Sequence, residues 1–231
     1  MNVFILNTGR CGSTTLIRAC QHITNYTSLH ESRSSMLAEE RLNYPDQHIE
    51  ADNRLLWFLG QLDEKYGDDA FYVHLKRERV ATVASYNRRW HSGVTIVKGF
   101  GEHILIRRGN QISDLERLQI SADYYDTANA NITFFLKDKT HKMEMHLESM
   151  NEDFKSFWKK INAKGDQEAA LVALNQKYNS SEQPENHAAY RQSIQKKNGL
   201  SGFWHRTKLK WAYKRATYWT NFYFGNYMKK Q

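Results

Sequence analysis

Apolar positions come in short unbroken runs separated by segments of helical spacing. Val3, Phe4, Ile5 and Leu6 read as a strand buried on both faces. A small-residue turn follows, and the pattern predicts a helix over 14–23 and a short extended piece over 26–29 ending at His30-Glu31-Ser32-Arg33. A helix is expected over 34–42 and a strand over 47–51. Asp52-Asn53 then reads as a cap before Leu55, Leu56, Phe58, Leu59 and Leu62, which recur at helical spacing. Residues 71–75 form a further apolar strand, and 79–91 a helix with Val80, Val83 and Ala84 on one face. Residues 92–112, with glycines at 93, 99, 101 and 109, read as a loop insertion. Helix is expected over 113–136, a strand at Met143, Met145 and Leu147, and helices over 152–161 and 167–178. Strands alternating with helices predict an α/β fold with a mainly parallel sheet and helices on both faces.

At 231 residues the chain fits one domain of about 1–185 with an appended segment, 186–231. The net charge of +8 is unevenly placed. The ten Lys and Arg beyond Glu185 meet no acid, leaving 23 basic against 25 acidic residues, −2, for residues 1–185. The appended segment also carries Trp204, Trp211, Trp219 and a Phe222-Tyr223-Phe224 cluster, too apolar to stand alone in water. Its readings are packing on the body, contact with an anionic membrane surface, and, least favoured, nucleic acid. The chain begins with a strand rather than a signal peptide and has no 18-residue apolar run, so the expectation is a cytoplasmic protein, peripheral at most to the inner face of a membrane. The Asn25, Asn131 and Asn179 sequons are then chance matches. Cys11 and Cys20 lack metal-site spacing and read as reduced thiols; the ten histidines form no ligand pair, and no metal is expected.

The chemistry-bearing stretch is Thr8-Gly9-Arg10-Cys11-Gly12-Ser13-Thr14-Thr15. A strand, a turn rich in small residues and a helix start direct backbone N–H groups at one spot, where the helix dipole favours an anion. The Gly-Lys-[Ser/Thr] of Mg-ATP sites is missing, and Arg10 stands within the loop. In parallel sheets ligands sit beyond the carboxyl ends of the strands. The Arg10 loop, His30-Glu31, residues 50–53 and Lys76-Arg77 all fall there.

These residues resemble the PAPS-dependent sulfotransferases, in particular the carbohydrate and tyrosylprotein kind and their bacterial relatives. The resemblance covers 3–90 strongly and 140–180 more weakly, where Glu148, Phe154, Phe157-Trp158 and Ala163-Lys164-Gly165-Asp166 take part. Thr8 to Thr15 is similar to the family's 5′-phosphosulfate loop. Arg77 and Ser85, eight apart, are similar to its 3′-phosphate motif. Glu31 and Arg33 resemble the Glu-x-Arg segment that holds the catalytic base, and Lys196-Lys197-Asn198-Gly199 loosely matches the cofactor lid.

The resemblance implies a P-loop-like three-layer sandwich and PAPS as donor, held by Thr8 to Thr15 with Arg77 and Ser85. It also implies a hydroxyl acceptor on a carbohydrate or glycolipid, met by His30, Arg33, Glu50 and Asn53. Sulfuryl transfer rests on positioning and electrostatic stabilisation, with Arg10 on the leaving phosphate and Glu31 as general base. His30 is the competing base, Asn53 an alternative N-cap, Glu148 a structural acid, and Trp57 and Trp158 core. Two other readings stand beside this one: a non-catalytic nucleotide- or glycan-binding protein on the same fold, and a P-loop kinase of atypical motif.

Overall fold

The computed structural model describes residues 1–91, 95–107 and 112–176. The segment 186–231 and Lys196 to Gly199 lie outside the described residues, as do Gly93 and Gly109.

Among the described residues the chain builds one five-stranded sheet, all parallel, in the order β2-β3-β1-β4-β5. The strands are β1 (Val3–Asn7), β2 (Thr27–His30), β3 (His48–Ala51), β4 (Phe71–Lys76) and β5 (Lys142–His146). Between and after them run α1 (Ser13–Cys20), α2 (Leu59–Tyr66), α3 (Arg79–Arg88), α4 (Ile96–Gly99), α5 (Asp114–Phe135), α6 (Met150–Lys160) and α7 (Gln167–Leu174).

The central strand β1 is buried at every residue, which is why its sequence is continuously apolar rather than alternating. Val3 and Ile5 point to one face, where they join Leu16 and Ile17 of α1 with Phe154, Phe157 and Trp158 of α6. Phe4 and Leu6 point to the other, where they meet Leu62, Tyr86, Tyr124 and Ile132 of α2, α3 and α5. Helices therefore cover both faces. The chain leaves β1 toward one face, through α1, and leaves the neighbouring β4 toward the other, through α3. The crevice beyond β1 and β4 is where the winding reverses, the ordinary ligand position in such sheets.

Local signals explain the helix ends. Glu78 caps α3 by accepting from the N–H of Val80 and Ala81, at 2.8 and 2.6 Å. Ser113 and Glu116 form a reciprocal capping box at the start of α5.

Four expectations are corrected. Over 34–42 only Ala38–Leu42 coils, as a 3₁₀ turn, because Met36 and Leu37 face solvent and Ala38 is left-handed, at φ 51°. The helix expected after Asp52-Asn53 is interrupted: Leu55–Trp57 is a 3₁₀ turn that sends Leu55 and Leu56 inward and leaves Trp57 42% exposed, outside the core. Residues 92–112 include α4 and a π-type turn over Phe100–Ile104, seated by buried Val97 and Phe100. On α3 the inward residues are Thr82, Val83, Ser85 and Tyr86, while Val80 is exposed. No helix among the described residues is long and apolar enough to cross a membrane.

Candidate functional site

The loop between β1 and α1 is shaped by left-handed backbone at Gly9, Arg10 and Gly12 (φ 82°, 61° and 87°). Asn7 holds its entrance, its Oδ1 accepting the Gly9 N–H at 2.8 Å. A Cβ on Gly9 would sit 2.7 Å from Asn53 Nδ2, and the φ of 82° itself favours glycine there. α1 starts at Gly12 without a side-chain cap, with Thr14 and Thr15 half-buried in its first turn. Cys11 points inward: burial pushes its thiol up to about 12, so it stays neutral and offers the site only its backbone.

The Arg10 loop and the Arg77–Ser85 segment meet. Arg10 Nε donates to Ser85 Oγ at 3.1 Å, and Arg77 Nη1 donates to the Arg10 carbonyl at 3.0 Å. The Arg10 guanidinium is pulled from 12.5 to about 10, first by burial and then by the neighbouring charges of Arg89 and Arg77. Arg89 is a third cation that reading the motifs missed. The available signal was its spacing of four from Ser85, which puts both on one face of α3 as the helix ends. Ser13 Oγ lies 3.0 Å from His30 Nε2, joining the first turn of α1 to the tip of β2.

Glu31 follows β2 in a left-handed turn, at φ 51°, with its N–H on the Ala51 carbonyl at 3.0 Å. Its carboxylate meets Arg54 Nη1 at 2.7 Å, both groups partly open to solvent. Arg54 is aimed by the turn after β3, where Asp52 Oδ1 accepts the Arg54 N–H at 2.8 Å. Asp52 is locked in turn by Arg41, at 2.6 Å. Asp52 rather than Asn53 thus makes the side-chain turn there; Asn53 lies between Gly9 and Arg54, within 3.4 Å of the Arg54 guanidinium.

Two expected acceptor contacts have other engagements. Glu50 is fully buried, its oxygens accepting from Ser32 N at 2.8 Å and Ser32 Oγ at 2.6 Å, with His48 Nε2 at 3.0 Å. It supports the Glu31-Ser32 turn from behind. Arg33 turns to Glu40, 3.2 Å away, and stacks on Tyr44. Glu148 accepts the Glu78 N–H at 2.9 Å, a structural contact.

Beside the loop lies a cleft of about 380 Å³, lined by Thr15, Leu147, Ser149, Met150, Asn151 and Leu174 among others. Among the described residues no three His, Cys, Asp or Glu side chains gather as a metal site.

One carboxyl edge of the sheet therefore holds three guanidiniums around a loop with a helix start, and a carboxylate paired with a fourth guanidinium nearby. No family model matches the chain, and no curated protein matches it.

Proposed function

We propose that the chain is a PAPS-dependent sulfotransferase on a P-loop-like three-layer sandwich, moving a sulfuryl group to a hydroxyl of a carbohydrate or glycolipid. One observation carries the reading. Arg10 and Ser85, from motifs 75 residues apart, share a hydrogen bond of 3.1 Å, and Arg77 binds the Arg10 carbonyl. A single bisphosphate skeleton is the ligand whose two ends those motifs would grip.

The residues fit such a donor. Three clustered cations offset its phosphates, and Arg10, held at about 10 by burial and by like charges, is a cation whose surroundings call for an anion. Thr8 to Thr15 would hold the 5′ side, Arg77, Ser85 and Arg89 the 3′ phosphate, and the cleft beside Thr15 has room for a base. The nucleotide, when bound, supplies the sulfuryl group and a phosphate leaving group.

The chain supplies the rest. Arg10 keeps its charge where negative charge gathers on the leaving side, the largest kind of contribution a protein makes to such a transfer. Glu31, at the tip of β2, accepts the proton of the acceptor hydroxyl at its carboxylate. Arg54 orients that carboxylate at 2.7 Å, and Glu50 fixes the turn beneath it through Ser32. His30, bonded to Ser13, ties the base to the donor loop.

Calorimetry with 3′,5′-ADP and turnover of labelled PAPS over a glycan panel test the reading. Arg77→Ala should weaken 3′,5′-ADP about tenfold to a hundredfold, the worth of one charged hydrogen bond. Unchanged 3′,5′-ADP affinity in that variant, or a wild-type protein that binds PAPS and sulfates nothing, would refute it.

A further inference from the structure

A loop that presents N–H groups to an anion must turn its carbonyl oxygens the other way, here into the protein, where water cannot serve them. In this loop the carbonyls of Thr8, Gly9 and Arg10 each have a side-chain donor. The Thr8 carbonyl accepts from the hydroxyls of Tyr86 and of Tyr124, the latter at 3.0 Å. The Gly9 carbonyl lies 3.0 Å from the same Tyr86 hydroxyl, whose one proton the two carbonyls share, and accepts from Thr8 Oγ1 at 3.1 Å; the Arg10 carbonyl accepts from Arg77 at 3.0 Å. At the tip of β4 the Arg77 carbonyl accepts from Tyr125 at 2.7 Å.

We propose that Tyr86, Tyr124 and Tyr125 are positioning residues, carbonyl latches that set the two anion-gripping elements and the spacing between them. Adjacent residues of α5 point in directions about 100° apart. Tyr124 therefore reaches the β1 loop while Tyr125 reaches the tip of β4, and one helix holds both. Tyr86, which follows Ser85, ties α3 to the same loop. The rings of Tyr86 and Tyr124 pack edge to face at 5.5 Å, which fixes where their hydroxyls can go. Burial raises both phenols, so both remain donors throughout the working pH range. Tyr86 and Tyr124 are buried beneath the loop, so they act through the backbone they hold.

The assignment of 3′ and 5′ sides rests on the sulfotransferase reading; the latch itself does not. The test removes single oxygens with Tyr86→Phe, Tyr124→Phe and Tyr125→Phe, using inorganic pyrophosphate, 5′-AMP, 3′-AMP and 3′,5′-ADP as probes in calorimetry. Tyr86→Phe and Tyr124→Phe should weaken pyrophosphate and 5′-AMP about fivefold to twentyfold, the effect of one lost hydrogen bond. Tyr125→Phe should weaken 3′-AMP by a similar factor and leave 5′-AMP within twofold. A general loosening of the fold would move all probes together. Equal losses for 3′-AMP and 5′-AMP in Tyr125→Phe, or wild-type affinity in all three variants, would overturn the latch. Tyr125 is only half-buried, so its variant decides the matter even where either buried tyrosine proves necessary for folding. A wild-type protein that prefers pyrophosphate to 3′,5′-ADP would instead overturn the nucleotide reading, with the latch still read in pyrophosphate.

Discussion

Arg10→Met separates the cost of the guanidinium cluster from its use. Arg10 is drawn down to about 10 by burial, Arg89 and Arg77, yet an arginine stays charged at neutral pH. The ligand-free fold therefore carries crowded positive charge. Substitution by Met loses the Arg10–Ser85 hydrogen bond, worth about 1 kcal/mol net, and relieves repulsion and desolvation of opposing sign. The thermal midpoint without ligand should stay within about 4 °C of wild type, since 1 kcal/mol is roughly 2–4 °C for a chain of this size. Binding should suffer much more. A charged donor to a phosphate is worth about 1.5–3 kcal/mol, on the order of tenfold to more than a hundredfold in affinity. At a 3′,5′-ADP concentration of about 100 Kd, wild type gains about 2.7 kcal/mol, a rise of roughly 5–10 °C. A variant binding a hundredfold more weakly gains about 0.4 kcal/mol, a rise of roughly 1 °C. Thermal denaturation followed by circular dichroism, with and without nucleotide, reads both quantities at once. An equal ligand-induced rise in wild type and variant would show that Arg10 does not touch the anion. A fall of more than about 10 °C without ligand would show that the cluster stabilises the fold instead of straining it.

Three further outcomes are expected. Glu31→Gln should reduce labelled-sulfate transfer about 10²- to 10⁴-fold while 3′,5′-ADP binds within about twofold of wild type; retained turnover would move the base to His30. His74 is held down at about 4 by burial, against 6.5, with its Nε2 2.8 Å from Asn129 Oδ1. The unfolded chain therefore binds the extra proton between those values, and about 3 kcal/mol of stability present above pH 6.5 is lost as pH falls toward 4. Urea titrations from pH 7 to 4.5 should show that slope in wild type and a flatter one in His74→Gln. Gly165, at φ 132°, faces the His22 carbonyl oxygen, which a Cβ would approach to 2.2 Å. Gly165→Ala should cost about 2–4 kcal/mol in the same urea assay, and an unchanged midpoint would mean that this crossing gives way easily.

The strands and the loop after β1 were legible because their determinants are local. Continuous burial writes Val3 to Leu6 as an apolar run, and left-handed turns ask for Gly9 and Gly12. Arg77 and Ser85 were legible only through their resemblance to a known motif, since an Arg and a Ser eight apart carry little by themselves. The rest depends on tertiary partners. Glu50 looked like an acceptor contact because the resemblance implies one near the end of that strand. Only the pairing of β3 with β2 shows that Ser32 closes over it. Trp57 reads as core beside its apolar neighbours but sits on a 3₁₀ turn, where three residues per turn send it outward. Arg89 has no motif of its own, and its place follows from where α3 ends.

Of the five described strands, the one at the middle of the sheet is synthesised before the other four. Val3 pairs with Ile49 on one side and with Phe71 on the other, so β1 keeps an open edge until both later segments have emerged. Until then Val3 to Leu6 is an open apolar edge of the kind that invites association between nascent chains. The hydroxyls of Tyr124 and Tyr125 arrive later still. A chain paused after β4 thus has four strands to assemble while the Thr8 and Arg77 carbonyls still lack their donors from α5.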